Sequence, residues 1–111
     1  LRADEATATF VADLGEGVLV GCVETGLRKY AEGCDTSPVG YIEGWYVDAD
    51  FRGQGLGRAL VRAVEDWAIA KGCVEMGSDT WLDNEVSYRV HLAIGYQEAE
   101  RLIHFNKRLV L

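Results

Sequence analysis

Proline is almost missing from this sequence, with one in 111 residues, and the thirteen glycines follow no three-residue period. That composition excludes a collagen-like, Pro-rich or low-complexity chain. Cysteine is scarce as well. Cys22, Cys34 and Cys73 form an odd set without CxxC spacing, which excludes a zinc ribbon and a complete disulfide framework. Free thiols in a reducing cytoplasm are the simplest expectation. Basic residues are few: 11 against 18 acids, for a net charge of −7. A nucleic-acid binder needs the opposite balance, because it must neutralise phosphates. No apolar run approaches the roughly 20 residues that span a bilayer, and no basic-then-apolar leader opens the sequence. The expectation is a soluble, cytoplasmic protein that binds neither nucleic acid nor membrane.

What remains is ordinary globular material. The chain is 49% hydrophobic and 26% charged, enough for one core and too short for two. Its charge is uneven. Residues 1–50 carry ten acids and three bases, whereas residues 51–111 carry eight of each. An acidic front half serves solubility, or it attracts a polycationic substrate.

Hydrophobic periodicity divides the chain into short elements. Residues 6–13 and 17–25 are β-rich runs around Leu14, Gly15 and Glu16, a hairpin signal. Residues 26–38 read mostly as loop, and residues 39–48 as a buried strand with Glu43 in its middle. Leu56, Leu60, Val64, Trp67 and Ala68 form one stripe of a helix over residues 56–71, stopped at Gly72. Residues 73–79 read as a strand. Residues 85–94 read as a second helix with Val86, Val90, Ala93 and Ile94 on one face, Asp83 or Asn84 as cap, and Gly95 at its end. Alternation over residues 98–110 predicts a final long strand. The order β-β-β-α-β-α-β indicates an α/β (α+β) mixed sheet in a single domain over residues 1–111. No GxGxxG follows the first strand, so a dinucleotide-binding sheet is excluded.

The sharpest local feature is Arg52-Gly53-Gln54-Gly55-Leu56-Gly57-Arg58, between a strand and the strongest helix. Glycines let backbone N–H groups converge on phosphate oxygens, and a helix start adds unpaired N–H groups and a positive dipole end. Arg52, Arg58 and Arg62 add charge, and no acid interrupts residues 51–63. A Walker loop is absent. The segment resembles the R-x-x-G-x-G/A loop of the GCN5-related N-acetyltransferases (GNAT), matched at Arg52, Gly55 and Gly57. From Tyr30 to Arg108 the chain is similar to the small bacterial aminoglycoside 6′-N-acetyltransferases. That similarity is carried by residues 34–39 (CDTSPV), 42–47 (IEGWYV), 72–80 (GCVEMGSDT), Asn84, His91, Gly95, Tyr96 and 98–101 (EAER).

The resemblance implies a mostly antiparallel GNAT sheet flanked by helices, and acetyl-CoA as co-substrate. It also implies a strand and two helices before the hairpin. Here these are expected to be missing or reduced to Leu1-Arg2, an N-terminally shortened domain. Trp45, Tyr46 and Val47 would hold the pantetheine arm through their backbone. Arg52, Gly53, Gln54, Gly55, Leu56, Gly57 and Arg58 would hold the pyrophosphate, and Asn84 would contact the cofactor, with a helix cap as its plain alternative. Glu43, Asp79, Glu100 and Tyr30 would bind a small polycationic amine. Glu43 and Asp79 would also draw off its proton, and a backbone N–H would steady the oxyanion. His91 stands where the superfamily places the acid that protonates the departing thiolate, and a structural histidine is its alternative. His104 and Asp83 have only structural readings. The cysteines have no basic partner, so direct transfer is expected. Such proteins are often homodimers. Two readings stay open beside an aminoglycoside 6′-N-acetyltransferase. One is an enzyme for polyamines, small amines or protein amines. The other is a non-catalytic acyl-CoA- or drug-binding module.

Overall fold

A computed structural model describes residues 6–111 of the chain. The expectation attached to Leu1 and Arg2 lies outside the described residues. Strand β1 (Thr7–Asp13) pairs antiparallel with β2 (Leu19–Arg28). Gly15 and Gly17 in the connecting turn have φ of 108° and 80°, and the Asp13 carboxylate accepts from Gly15 N–H at 2.7 Å. These are conformations that glycine adopts at little cost.

Strand β2 continues past the predicted loop boundary at residue 26. Gly26, Leu27 and Arg28 pair with Tyr41, Gly40 and Val39 of β3 (Val39–Val47). A partner strand overrides the polar look of this stretch. Between Glu24↔Gly44 and Thr25↔Ile42, β3 carries one residue more than β2, so Glu43 has no opposite number. This β-bulge inverts the facing of the strand. Before it, Ile42 faces the main core while Val39 and Tyr41 face a second cluster with Ala31. After it, Trp45 and Val47 turn to the main core. Thr25, itself buried, donates its hydroxyl to Tyr41 C=O at 2.6 Å beside the bulge.

Helix α1 (Leu56–Ala70) packs across the sheet and buries Leu60, Val61, Val64 and Ala68. Leu60, Val61 and Val64 join Val23 and Ile42 as the core, each side chain contributing about 1.5–3 kcal/mol. Strand β4 (Met76–Ser78) lies parallel to β3 and completes the order β1-β2-β3-β4. It is shorter than the predicted 73–79. Cys73 N–H still bonds Ala68 C=O at 2.9 Å, wrapping the helix end, so the strand starts only once the chain is clear of α1.

Helix α2 (Glu85–Ala93) ends through Gly95 at φ 98°, with Tyr96 N–H on His91 C=O at 2.9 Å. Its predicted apolar face is mostly open: no α2 residue is buried, and only Ile94 beyond its end packs on the core, together with Tyr96. The predicted strand at 98–110 does not form within the chain. Residues 97–111 have no regular structure and are exposed throughout. A strand needs a ladder partner, and none of the described strands lies beside this segment. The radius of gyration, 15.6 Å, exceeds the ~13 Å of a compact chain this long, consistent with a projecting segment.

Close packing of β3 on β4 depends on Gly77. A Cβ there would stand 2.8 Å from the Tyr41 ring and 3.0 Å from Ala31. Gly77→Ala should cost about 1–3 kcal/mol, read as a lower urea midpoint. An unchanged midpoint would contradict this packing.

Candidate active site

Pairing between β3 and β4 covers only Gly40↔Met76, Tyr41↔Gly77 and Ile42↔Ser78. Beyond Ile42 no registered pair follows, because β4 ends at Ser78, and residues 43–47 of β3 have no described strand on that side, an open edge or wedge in the sheet. Of the residues placed near the chemistry from sequence, Glu43, Trp45, Tyr46 and Val47 lie on this open stretch, residues 52–58 on the loop after it, and Asp79 directly follows β4.

On one side of the wedge stands the glycine loop. A 3₁₀ turn at Ala49–Phe51 leads into it, and Gly53 and Gly55 have φ of 79° and 84°. Gly55 is the N-cap of α1 and supplies no side-chain acceptor. The first N–H groups of a helix have no intrahelical partner. Here the first bond into the turn is Ala59 N–H to Gly55 C=O at 3.0 Å. A Cβ on Gly53 or Gly55 would meet nothing within 4 Å, so the loop presents bare backbone to open space. Gly57 differs: its Cβ would sit 3.3 Å from the Trp45 ring, so its role is to seat α1 on β3. Gln54 and Arg58 are exposed, and Leu56 is half-buried. Arg52 is exposed but anchored by its stem. Its Nε donates to Val47 C=O at 2.8 Å and its guanidinium lies 5.8 Å from the Tyr46 ring centre, bracing the end of β3.

Beside the last β3–β4 pair, His91 of α2 is fixed by four residues. Its Nδ1 lies 2.7 Å from Ser87 C=O, an atom that only accepts, so Nδ1 carries the proton. In the neutral ring Nε2 then accepts from Ser78 Oγ at 2.8 Å. The ring meets Trp45 and Tyr96 edge-on at 5.3 and 5.9 Å. Asn84 caps α2, its Oδ1 accepting from Ser87 N–H at 3.0 Å, which leaves its NH₂ group turned to other partners.

The carboxylates fall into two groups. Glu43 receives Arg28 through two bonds, Nη2 to Oε1 at 2.7 Å and Nε to Oε2 at 3.0 Å. The guanidinium also lies 3.5 Å above the Tyr41 ring. Tyr41 donates its hydroxyl to Asp79 at 2.7 Å. Burial, and then this bond to Asp79, push the Tyr41 phenol far above its ordinary range, so it remains a donor. Glu43, Arg28, Tyr41 and Asp79 therefore form one chain of contacts.

The second group is Tyr30, Glu32 and Glu100. Tyr30 donates to Glu32 at 2.8 Å, and a hydrogen bond with Glu32, reinforced by its charge, raises the Glu100 carboxyl. The segment after α2 reaches this group because Gly33, at φ 78°, leaves room for Ala99. The loop around it is pinned by Glu75, which accepts from Asp35 N–H, Thr36 N–H and the Thr36 hydroxyl. Those bonds, led by the Thr36 hydroxyl, hold Glu75 below the usual carboxylate range.

Sequence reasoning missed Arg28, Glu32, Tyr41 and Ser78. Arg28 and Tyr41 look like an ordinary strand end and a core aromatic until the register is known. Burial raises the thiols of Cys34 and Cys73, which keeps them protonated and poor nucleophiles. Among the described residues, no cluster of His, Cys, Asp or Glu is arranged to hold a metal ion, and no helix is long and apolar enough to cross a membrane.

A bulged strand, a wedge and a glycine loop opening a helix define an acyl-CoA-dependent acetyltransferase fold. Residues 1–96 match the Acetyltransferase (GNAT) family, and the chain belongs to it. It is similar to aminoglycoside N(6′)-acetyltransferase type 1 of Salmonella typhimurium, 43% identical over 109 residues, 97% of this chain and 74% of that protein. The Stenotrophomonas maltophilia protein of the same name is 41% identical over 108 residues, 96% of this chain and 71% of that one. Among solved structures, AAC(6′)-Iy in complex with the bisubstrate analog CoA-S-monomethyl-acetylneamine superposes with TM-score 0.87 at 42% identity, over 94% of this chain and 71% of that chain. AAC(6′)-Ih from Acinetobacter baumannii gives TM-score 0.85 at 34% identity, over 95% and 72%.

The exposed loop backbone predicts a sharp response to one substitution. Gly55→Asp, a residue that tolerates a left-handed conformation, places a carboxylate where the pyrophosphate would lie. Acetyl-CoA affinity by calorimetry should fall at least about tenfold, roughly 1.4 kcal/mol. Unchanged affinity in the folded variant would remove the loop from the site.

Proposed function

We propose that residues 1–111 form one N-acetyltransferase domain that transfers acetyl from acetyl-CoA to the 6′-amine of an aminoglycoside. The observation that carries this reading is the pair of acids, Glu43 and Asp79, each one residue past the last β3–β4 pair, on a sheet edge whose strand β3 runs on toward the glycine loop. The similarity to aminoglycoside N(6′)-acetyltransferases over nearly the whole chain supports the same substrate class.

The bare N–H groups of residues 53–58, with Arg58 nearby, suit a pyrophosphate. The edge of β3 at Trp45, Tyr46 and Val47, released from β4, suits the amides of a pantetheine arm. Leu56 and Gly57 set the helix start against Trp45, Arg52 holds the strand end, and the free NH₂ of Asn84 suits a cofactor contact. When bound, acetyl-CoA supplies an activated acetyl thioester.

The remaining tasks fall to other side chains. Asp79, oriented by Tyr41, keeps one oxygen for an ammonium group, and Glu43 offers a second carboxylate. Either one, directly or through water, takes the proton that must leave before the amine is nucleophilic. His91, once Nε2 has taken up a proton, passes it through the Ser78 hydroxyl toward the leaving thiolate, an assistance that is not indispensable. Tyr30, Glu32 and Glu100 hold the far end of a polycation, each charge-assisted bond contributing about 1.5–3 kcal/mol. The acidic surface steers such substrates inward.

We infer a cytoplasmic homodimer. Free thiols at Cys22, Cys34 and Cys73 and a need for acetyl-CoA fit the cytoplasm. Residues 98–110 alternate like a strand yet expose Ile103, Phe105 and Leu109 at 72%, 90% and 70%. Such a segment is stable when it pairs with a second copy. Phe105→Asp should convert a two-chain mass into a one-chain mass in sedimentation, and a one-chain mass for the unaltered protein would contradict the dimer.

The substrate assignment is tested by kinetics. Glu43→Gln and Asp79→Asn keep shape and remove charge. Each should lower kcat/KM for tobramycin by roughly tenfold or more, with acetyl-CoA affinity nearly unchanged. Normal activity in both variants would sink the aminoglycoside reading.

A further inference from the structure

Glu43, one of the carboxylates assigned to the substrate, already holds a cation of the chain itself. Arg28 ends β2, and its guanidinium is bound as a ligand would be bound. Glu43 grips it bidentately at 2.7 and 3.0 Å, the Tyr41 ring lies 3.5 Å beneath it, and Tyr41 in turn holds Asp79 at 2.7 Å. A carboxylate fork, an aromatic face and a second carboxylate within field range are the elements that recognise an organic cation.

We propose that Arg28 is a resident cation that occupies the seat of a substrate ammonium group and must be displaced when a polycation binds, which makes it a specificity-determining residue. The inference rests on the polycationic-amine reading of this site.

The geometry favours exchange over permanent anchoring. The two side chains are 42% and 39% exposed, so water and a competing ammonium reach both. A half-exposed ion pair is screened by water even when bidentate, and its guanidinium rides on a long stem at a strand end. Glu43 sits at the bulge, where the backbone lacks a partner residue, so its carboxylate is free to stay while the guanidinium swings outward.

Exchange also explains selectivity. A monoamine gains one carboxylate by evicting one cation, so its net electrostatic gain is small. A polycation gains Asp79 and the Glu32–Glu100 group as well, and so pays back the eviction. Arg28 thus raises the threshold against simple amines.

Arg28→Met keeps apolar cover over Tyr41 and removes the competing charge. KM for tobramycin at low salt should fall by about fivefold, roughly 1 kcal/mol, with the gain shrinking at high salt. Arg28→Lys, which keeps the charge but loses the fork, should fall between the two. The acetyl-CoA KM should not move. In the unaltered protein, the Arg28 Nε–H resonance should shift on saturation with tobramycin. Turnover of tobramycin by the unaltered protein is read first. Its absence overturns the substrate reading and this inference together. Turnover combined with an equal or higher KM in Arg28→Met, or with an unmoved Nε–H resonance, overturns this inference alone and leaves Arg28 as an anchor for Glu43.

Discussion

One extra residue in β3 organises this molecule. With Glu43 unmatched by β2, the strand reverses which side chains meet α1, and Trp45 and Val47 close the core that Ile42 began. The same bulge puts Glu43 on the side of Tyr41 and away from α1. Pairing with β4 stops at Ile42↔Ser78, one residue before it. Core, wedge and acidic site therefore share one origin. A regular strand would turn Trp45 and Val47 away from the core, a penalty of several kcal/mol by burial alone.

The two ends of the wedge are built on different physics. The glycine side works by absence: no side chain caps α1, and nothing occupies the space before Gly53 and Gly55. The acidic side works by occupation, with Arg28, Tyr41 and Asp79 linked to Glu43 through contacts of 2.7 to 3.5 Å. His91 ties Ser78 at the last sheet pair to Ser87 on α2. The first arrangement suits an anion and the second suits a cation, as transfer from a phosphate-bearing donor to a polycationic aminoglycoside requires.

Much of this was legible in the sequence because it is local. The stripe Leu60, Val64 and Ala68 makes α1, and the glycine spacing marks the loop. Asn84 and Gly95 bound α2, and Glu43 stands out as a lone acid in an apolar strand. What was not legible depends on partners distant in sequence. Arg28 meets Glu43 only through a register set across β2 and β3. Glu32 meets Glu100 only because Gly33 admits Ala99. The alternation at 98–110 was visible, but periodicity alone does not supply a neighbouring strand, and none of the described strands lies beside this segment. The apolar face of α2 was similarly read as core, although Val86 and Val90 remain exposed.

The central claim is that the bulged strand and the glycine loop hold one ligand between them. Amide hydrogen exchange with and without CoA tests it most directly. Protection is predicted at Trp45, Tyr46 and Val47 together with residues 53–58, and little change along β1. Protection confined to one of the two segments, or absent from both while CoA binds, would contradict the account.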